Sequence, residues 1–192
     1  MTANDEKRLI DKAGSGDVRA FEALYRLHSA RVHGLCVRLC DNRADAQDAT
    51  QETFVKAWRG LRQFRGTSAF STWLHRIAFN ECMNIRRRST ARDTHLQVVE
   101  PTRAGDSSSM PELEQLERAV ARLPDRAREA LILNKIYGYT HEETAEFMGT
   151  TSGAAKAQVH RAVNLLRALV PAADVDSPGP ASAATRSALS DE

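Results

Sequence analysis

Between Phe64 and Arg88 the chain sets aromatic rings, amides and guanidinium groups at helical spacing. Arg76, Asn80, Asn84 and Arg87 stand three or four apart, so one helix would carry them as a polar stripe. Phe70, Trp73, Leu74, Ile77 and Ile85 form an apolar stripe on the same helix. Rings of this kind stack bases, amides read base edges and guanidinium groups hold phosphates. Taken alone, the stretch fits an amphipathic core helix with a solvated basic face at least as well. His33, Cys36 and Cys40 share a helix face at i, i+3 and i+7 and are zinc-donor types. No fourth ligand stands near them, and Cys36 continues an apolar run, so Cys36 and Cys40 are read as core, as is Cys82. No metal is expected. Asp45, Asp48 and Glu52 make an acidic ridge that suits solvent or a basic partner helix. No His or nucleophile accompanies the ridge at fitting spacing, so no catalytic set and no cofactor are expected.

These groups need helices to position them. A first helix is expected around Glu6 to Ala13, closed by Gly14 and Gly16. Asp17 is a good N-cap for a long helix from Val18 to about Cys40, whose stripe is Phe21, Leu24, Tyr25, His28, Val32, Leu35, Cys36 and Leu39. Asp41-Asn42-Arg43 breaks the pattern. Residues 43–63 form the next helix, with Ala49, Phe54, Val55, Trp58 and Leu61 on its apolar side. A polar loop from Phe64 to Ser71 precedes the long helix that ends in Arg86, Arg87 and Arg88, cations suited to the negative end of the helix dipole.

Farther on, Leu113, Leu116, Val120 and Leu123 mark a helix over Glu112–Arg122. Ala127, Ala130, Leu131, Leu133 and Ile136 carry another from Pro124 to Tyr137. Thr140 and Glu143 have the spacing of a capping box, Gly149 supplies a tight turn, and Thr151 or Ser152 caps a last helix. A short helix, a glycine turn and a second helix make a helix-turn-helix, whose second helix enters the major groove. Ala155, Val159, Ala162, Val163 and Leu166 would face inward. Thr151, Ser152, Gly153, Lys156, Ala157, His160 and Arg161 would face out, small and polar residues leading into basic ones. An ordinary helical hairpin is the bland alternative.

Charge distribution supports this division. The 192 residues carry a net charge of only +2. Residues 1–88 hold 16 Lys/Arg against 10 Asp/Glu, and 89–118 hold 3 against 6. Residues 119–170 hold 7 against 5, and 171–192 hold 1 against 4. Basic blocks alternate with acidic ones, as in folded modules joined by a linker and ended by a tail. The expected domains are 1–89, a flexible linker at 90–111, 112–170, and a disordered Pro/Ala/Ser-rich tail at 171–192. The fold class is all-α. The polar N-terminus holds no apolar run of signal-peptide or membrane length, so a cytoplasmic protein without membrane insertion is expected. Three cysteines do not suggest a disulfide framework.

Four blocks together resemble the sigma factors of bacterial RNA polymerase, in the extracytoplasmic-function (ECF) group of the sigma-70 family. Asp17 to Tyr25 resembles the family's opening helix. Asp45-Ala46-Gln47-Asp48-Ala49-Thr50-Gln51-Glu52-Thr53-Phe54-Val55-Lys56-Ala57-Trp58 resembles its polymerase-docking segment. Phe64-Arg65-Gly66 through Thr72-Trp73-Leu74, Arg76-Ile77-Ala78 and Asn80 resembles its promoter-melting segment. Tyr139 to Gly149, then Gly153, Lys156 and His160-Arg161-Ala162, resembles its final helix-turn-helix. The likeness covers roughly residues 5–170 in order. It departs at Ala155, where the family usually has a larger residue, and near Gln158, where an arginine is frequent.

The resemblance implies a factor that binds core polymerase and promoter DNA, helps open the duplex, and is restrained by an anti-sigma factor, with no small-molecule substrate. It implies core-polymerase binding by Asp45, Asp48, Gln51, Glu52 and Trp58. It implies recognition of the −10 element by Phe64, Ser68, Ala69, Arg76, Asn80, Asn84, Arg86 and Arg87, with Phe64 and Ala69 walling a flipped base, Asn80 reading it and the arginines gripping phosphates. Thr151, Ser152, Gly153, Lys156, Ala157, His160 and Arg161 would read the −35 element. Two rivals stand beside this reading: a conventional regulator that uses only the helix-turn-helix, sensing a ligand or metal with its N-terminal domain, and an enzyme built on the acidic ridge.

Overall fold

The computed structural model describes residues 3–93 and 111–169. Among these residues the architecture is all-α, with no strand. The upstream module comprises α1 (Ala3–Gly14), α2 (Val18–Leu39), α3 (Arg43–Gly60) with a 3-10 turn at Leu61–Gln63, and α4 (Phe70–Asp93). Its helices begin where side chains satisfy free amides. Asp17 Oδ1 accepts from the amides of Arg19 and Ala20 at 2.9 and 3.1 Å. The break at Asp41–Arg43 is the N-cap of α3: Asn42 Oδ1 accepts from the Asp45 amide at 2.8 Å, while its side-chain nitrogen donates to the Asp45 carboxylate. Such caps contribute about 1 kcal/mol each.

The downstream module comprises α5 (Pro111–Ala121), α6 (Asp125–Leu131), a π-helical turn at Ile132–Ile136, α7 (His141–Met148) and α8 (Ser152–Leu169). The expected capping box at the start of α7 is present. Glu143 N donates to Thr140 Oγ1 at 3.1 Å, and Thr140 N donates to the Glu143 carboxylate at 2.8 Å. Gly149 ends α7 at φ 60°, a left-handed conformation that a side chain would strain. Thr151 rather than Ser152 supplies the cap of α8, accepting from the Ala154 amide at 3.2 Å.

Several expectations change on packing. The long helix does not stop at 89; α4 runs through Asp93. The rest of the expected linker, 94–110, and the expected tail lie outside the described residues. Val55 and Leu116, assigned to apolar stripes, are exposed. Ile136 is exposed as well, because the π turn takes an extra residue and throws it out of the 3.6-residue phase.

The two modules, expected on a flexible linker, also pack against each other. One buried cluster runs through both. It joins Leu24, Leu35, Leu39, Leu74 and Phe79 of the upstream module to Ile132, Leu133, Tyr139, Phe147 and Val159 of the downstream one. A smaller cluster of Leu123, Ala127, Leu131 and Ala162 holds α6 to α8. Burying a Leu, Ile or Phe side chain contributes about 1.5–3 kcal/mol, so the shared cluster binds the modules face to face.

Candidate nucleic-acid interface

The α8 surface is the simplest part of the interface. Ala155, Val159 and Ala162 are buried, and Val163 and Leu166 pack against the smaller cluster, all as expected. Thr151, Ser152, Gly153, Lys156, Ala157, His160 and Arg161 are all exposed, in one band from the N-terminus of the helix through its third turn. Asn164 contacts His160 Nδ1 at 3.2 Å. Small residues at the start allow the backbone to approach a groove floor, and Lys156 and Arg161 follow with positive charge.

The acidic ridge on α3 is also open. Asp48, Gln51 and Glu52 are exposed. Asp45 is half-buried, with its carboxylate engaged by Asn42. Glu52 lies 4.0 Å from Lys56, which turns chiefly to Glu81 of α4 at 2.7 Å. Trp58 is 36% exposed, and its other face meets Phe21 with ring centroids 4.9 Å apart. Tyr25 packs on Phe54 at 4.7 Å and is itself exposed. The ridge therefore stands beside exposed aromatic surface, a combination that serves protein contact.

The loop before α4 leaves Ser68 and Ala69 exposed. Phe64 is not free-standing: it packs on Phe70 at 5.6 Å and on Trp73 at 5.1 Å, at the N-terminal end of α4. Asn80 is exposed on the same helix. At 1.5 Å per residue it lies about 10 Å beyond Trp73 along the axis. Asn84 is half-buried and accepts from Arg87 at 2.7 Å.

The three arginines expected to grip phosphates are in different surroundings. Arg87 is exposed. Arg76 forms an ion pair of 2.7 Å with Glu146 of α7 and lies over the Phe147 ring at 5.4 Å. Arg86 is only 12% exposed. Its guanidinium meets Glu129 at 2.9 Å, Asp41 at 3.8 Å and Asp125. Arg128 of α6 pairs with the same Asp41 and Asp125, each at 3.2 Å.

Toward the start of α4, His75 and the Tyr139 hydroxyl share a hydrogen bond of 2.6 Å. Burial, then the charge of Arg31 and of His28, lowers the His75 pKa to about 4, so the ring is neutral near pH 7. The Tyr137 hydroxyl donates to the Arg31 carbonyl of α2 at 2.9 Å, and burial pushes its pKa up to about 12. Asp41, His75, Arg128, Glu129, Tyr137 and Glu146 were not singled out from sequence. The one available signal was a charged pair, Arg128-Glu129, set between Ala127 and Ala130 in the apolar run of α6.

Cys36, Cys40 and Cys82 are buried free thiols. His33 is exposed, and its Nδ1 reaches Thr50 Oγ1 at 3.1 Å. Cys36 and Cys40 are thus core residues, as their place in the apolar run implies. No helix among the described residues is long and apolar enough to cross a membrane.

Comparison with known proteins agrees with this geometry. Residues 24–92 match the family description Sigma-70 region 2, and residues 113–166 match Sigma-70, region 4. The RNA polymerase sigma-H factor of Pseudomonas aeruginosa is 32% identical over 177 residues, which cover 84% of this chain and 92% of that one. The ECF RNA polymerase sigma factor SigM of Mycobacterium tuberculosis is 35% identical over 77% of this chain and 76% of its own. The ECF RNA polymerase sigma-E factor of Escherichia coli is 34% identical over 80% and 88%. Among solved structures, CnrH in complex with the cytosolic domain of CnrY aligns with a TM-score of 0.62 at 28% identity, over 86% of this chain and 96% of that one. The sigma factor RpoE of Bartonella quintana, in complex with the anti-sigma factor NepR, aligns at 0.64 and 28%, over 79% and 97%. The chain belongs to the sigma-70 family, among its ECF sigma factors.

Proposed function

We propose that the protein acts in the cytoplasm as an alternative sigma factor: it binds core RNA polymerase and directs it to promoters, and it is not an enzyme. The observation that carries this reading is the helix-turn-helix, with all seven expected positions of α8 exposed on one band, downstream of a module with an open acidic ridge. Lys156 and Arg161 set α8 on the phosphates, and the small residues from Thr151 to Gly153 let its N-terminal turn approach −35 base edges. Asp45, Asp48, Gln51, Glu52 and Trp58 form the surface for a basic helical element of the largest polymerase subunits. The loop at Ser68 and Ala69, with Asn80 and Arg87 on α4, forms the −10 surface, where an amide can read an unstacked base. The domain assignment remains 1–89 for docking and melting, extended by the helix to 93, and 112–170 for −35 recognition.

The Bartonella quintana neighbour is held by an anti-sigma factor. By extension, this chain is restrained by a partner of that kind. Recovery of the chain from uninduced cells with a small dedicated inhibitor is the expected result.

The decisive experiment is binding to purified core polymerase without DNA, followed by run-off transcription. Core binding separates this reading from a conventional helix-turn-helix regulator. Exchanging Asp48→Lys and Glu52→Lys together should weaken holoenzyme formation while leaving helix content intact. Each exposed charge contributes under about 1 kcal/mol, so the double change is the fair test. Unaltered core affinity at physiological salt would refute the docking assignment.

A further inference from the structure

The downstream module leaves one cationic group without an assignment, where α6, the end of α7 and the start of α8 meet. Arg126 stands in the first turn of α6, and its side chain is 59% exposed. Its Nη1 donates to the Met148 carbonyl, at the end of α7, and to Glu129 Oε2, both at 3.3 Å. The first bond suits a cation, since the last carbonyls of a helix carry partial negative charge. The second is shared: Glu129 is buried and gives its shorter contact, 2.9 Å, to Arg86. Among the described residues both bonds of Arg126 use Nη1, which leaves Nε and Nη2 as donors for a further acceptor.

Arg126 lines a cleft of about 70 Å³ together with Met148, Thr150, Ala154 and Gln158. No carboxylate lines it, and Arg126, Thr150 and Gln158 all carry donors. The cleft is too small for a base and admits a few water-sized oxygens. The position of the cleft on α8 gives it a use. Ala157 lies at the middle of the exposed band, opposite buried Ala155, Val159 and Ala162. At about 100° per residue, Lys156 stands to one side of Ala157 and Gln158 to the other. A helix about 10–12 Å across nearly fills a major groove about 12 Å wide, so each flank meets a phosphate backbone. The Lys156 flank has its own cation. The opposite flank carries Ala154, Gln158 and Leu165, and Arg126 of α6 sets a cation beside it.

We propose that Arg126, with Thr150 and Gln158, forms a binding site for one backbone phosphate of the −35 duplex, on the flank of α8 opposite Lys156. The inference rests on the sigma-factor reading, since it takes α8 as the helix that enters the groove. It adds a contact from α6, outside the recognition helix. A guanidinium that caps α7 through Nη1 still offers Nε and Nη2 to phosphate oxygens, a charge-assisted pairing. Such a contact fixes the register of α8 in the groove and carries no sequence information.

The test uses the full chain and a −35 duplex oligonucleotide, with fluorescence anisotropy across a salt series. Arg126→Gln should weaken binding about tenfold and reduce the slope of log affinity against log salt by about one, on the cognate and on a scrambled duplex alike. Arg126→Lys keeps the charge and should keep the slope. Adding Gln158→Arg to Arg126→Gln returns a cation to the cleft from α8 and should restore the slope. Urea unfolding measures the bond to Met148 separately, and circular dichroism confirms helix content. A slope unchanged in Arg126→Gln, with stability lost, makes Arg126 a structural cap only and overturns the proposal. So does a loss confined to one base pair, which would make Arg126 a base reader, or a double variant no better than the single one. Binding to core polymerase, read on the same proteins, should be unaltered. A wild type that neither binds core nor prefers the −35 duplex to the scrambled one brings down the sigma-factor reading; intact core binding beside an unchanged slope overturns the phosphate site alone.

Discussion

The two surfaces assigned to DNA differ in how the fold presents them. On α8 every expected contact position is exposed, and the buried side of the helix is small and regular. On α4 the expected positions are divided: Asn80 and Arg87 face solvent, Arg76 pairs with Glu146, and Arg86 is enclosed by three carboxylates. The contrast teaches that a basic residue's partner cannot be inferred from its charge. Guanidinium groups bind phosphates and carboxylates with the same fork geometry. A duplex-reading helix can stand ready, because B-form DNA is always available to it. On α4 the carboxylates of neighbouring elements occupy two guanidinium groups and leave Asn80 and Arg87 open.

The strongest way to break the comparison is to empty the core under α4 alone. Leu74 of α4 is fully buried in the cluster that the two modules share. Leu74→Ala should lower stability by about 2–5 kcal/mol, measured by urea unfolding, while isolated binding of duplex −35 DNA by the folded fraction stays unchanged.

Acidification should act next most strongly, where the two modules pack together. His75 is faced by Arg31 and His28 of α2 and by Tyr137 and Tyr139 of the downstream module. Its pKa lies at about 4 in the folded chain, below the ordinary histidine value of 6.5. The folded form therefore resists protonation. The stabilisation is complete above the unfolded pKa, declines as pH falls below it, and is lost through about 4, amounting to roughly 3 kcal/mol at most. His75→Gln should flatten stability measured between those limits.

A third experiment sharpens the division within α4. Asn80→Ala should reduce opening at the cognate −10 sequence by about 1–3 kcal/mol and relax discrimination at one base. Arg87→Ala should weaken all sequences alike and reduce the salt dependence. Permanganate footprinting on single-base variants across a salt series distinguishes them, and equal loss on every variant from Asn80→Ala would remove Asn80 from base reading. The smallest effect is local to the other surface. Thr140→Ala breaks the capping box and should cost about 1 kcal/mol in thermal or urea stability, with −10 binding unaffected.

Much of this architecture was legible because its signals are local. Asp17, Thr140 with Glu143, and Gly149 announce helix ends through bonds that span at most a few residues. The α8 face could be assigned because one side of the helix is Ala and Val and the other is not. The packing of the modules on each other was not legible. Tyr137 meets Arg31 across 106 residues, and Arg128 meets Asp41 across 87. Neither pairing leaves a periodic trace. Arg86 sits in a run of three arginines that would read the same before phosphates or carboxylates. Phe64 reads as a free aromatic wall in sequence because its partners, Phe70 and Trp73, belong to the apolar stripe of α4.

The π turn at Ile132–Ile136 has a bearing on how this arrangement tolerates change. Its closing bond runs from the Tyr137 amide to the Ile132 carbonyl at 3.1 Å, one residue longer than an α-helical turn. Each residue of an α-helix turns the chain by about 100°. Removing a single residue from the turn would restore regular winding and swing Tyr137 and all that follows around the axis by that angle. Tyr137 would lose its bond to the Arg31 carbonyl, although no side chain that packs between the modules had been altered. The spacing between α6 and the tyrosines is therefore as strict a requirement as their identities: substitutions can drift there, whereas an insertion or deletion shifts the whole downstream face out of register.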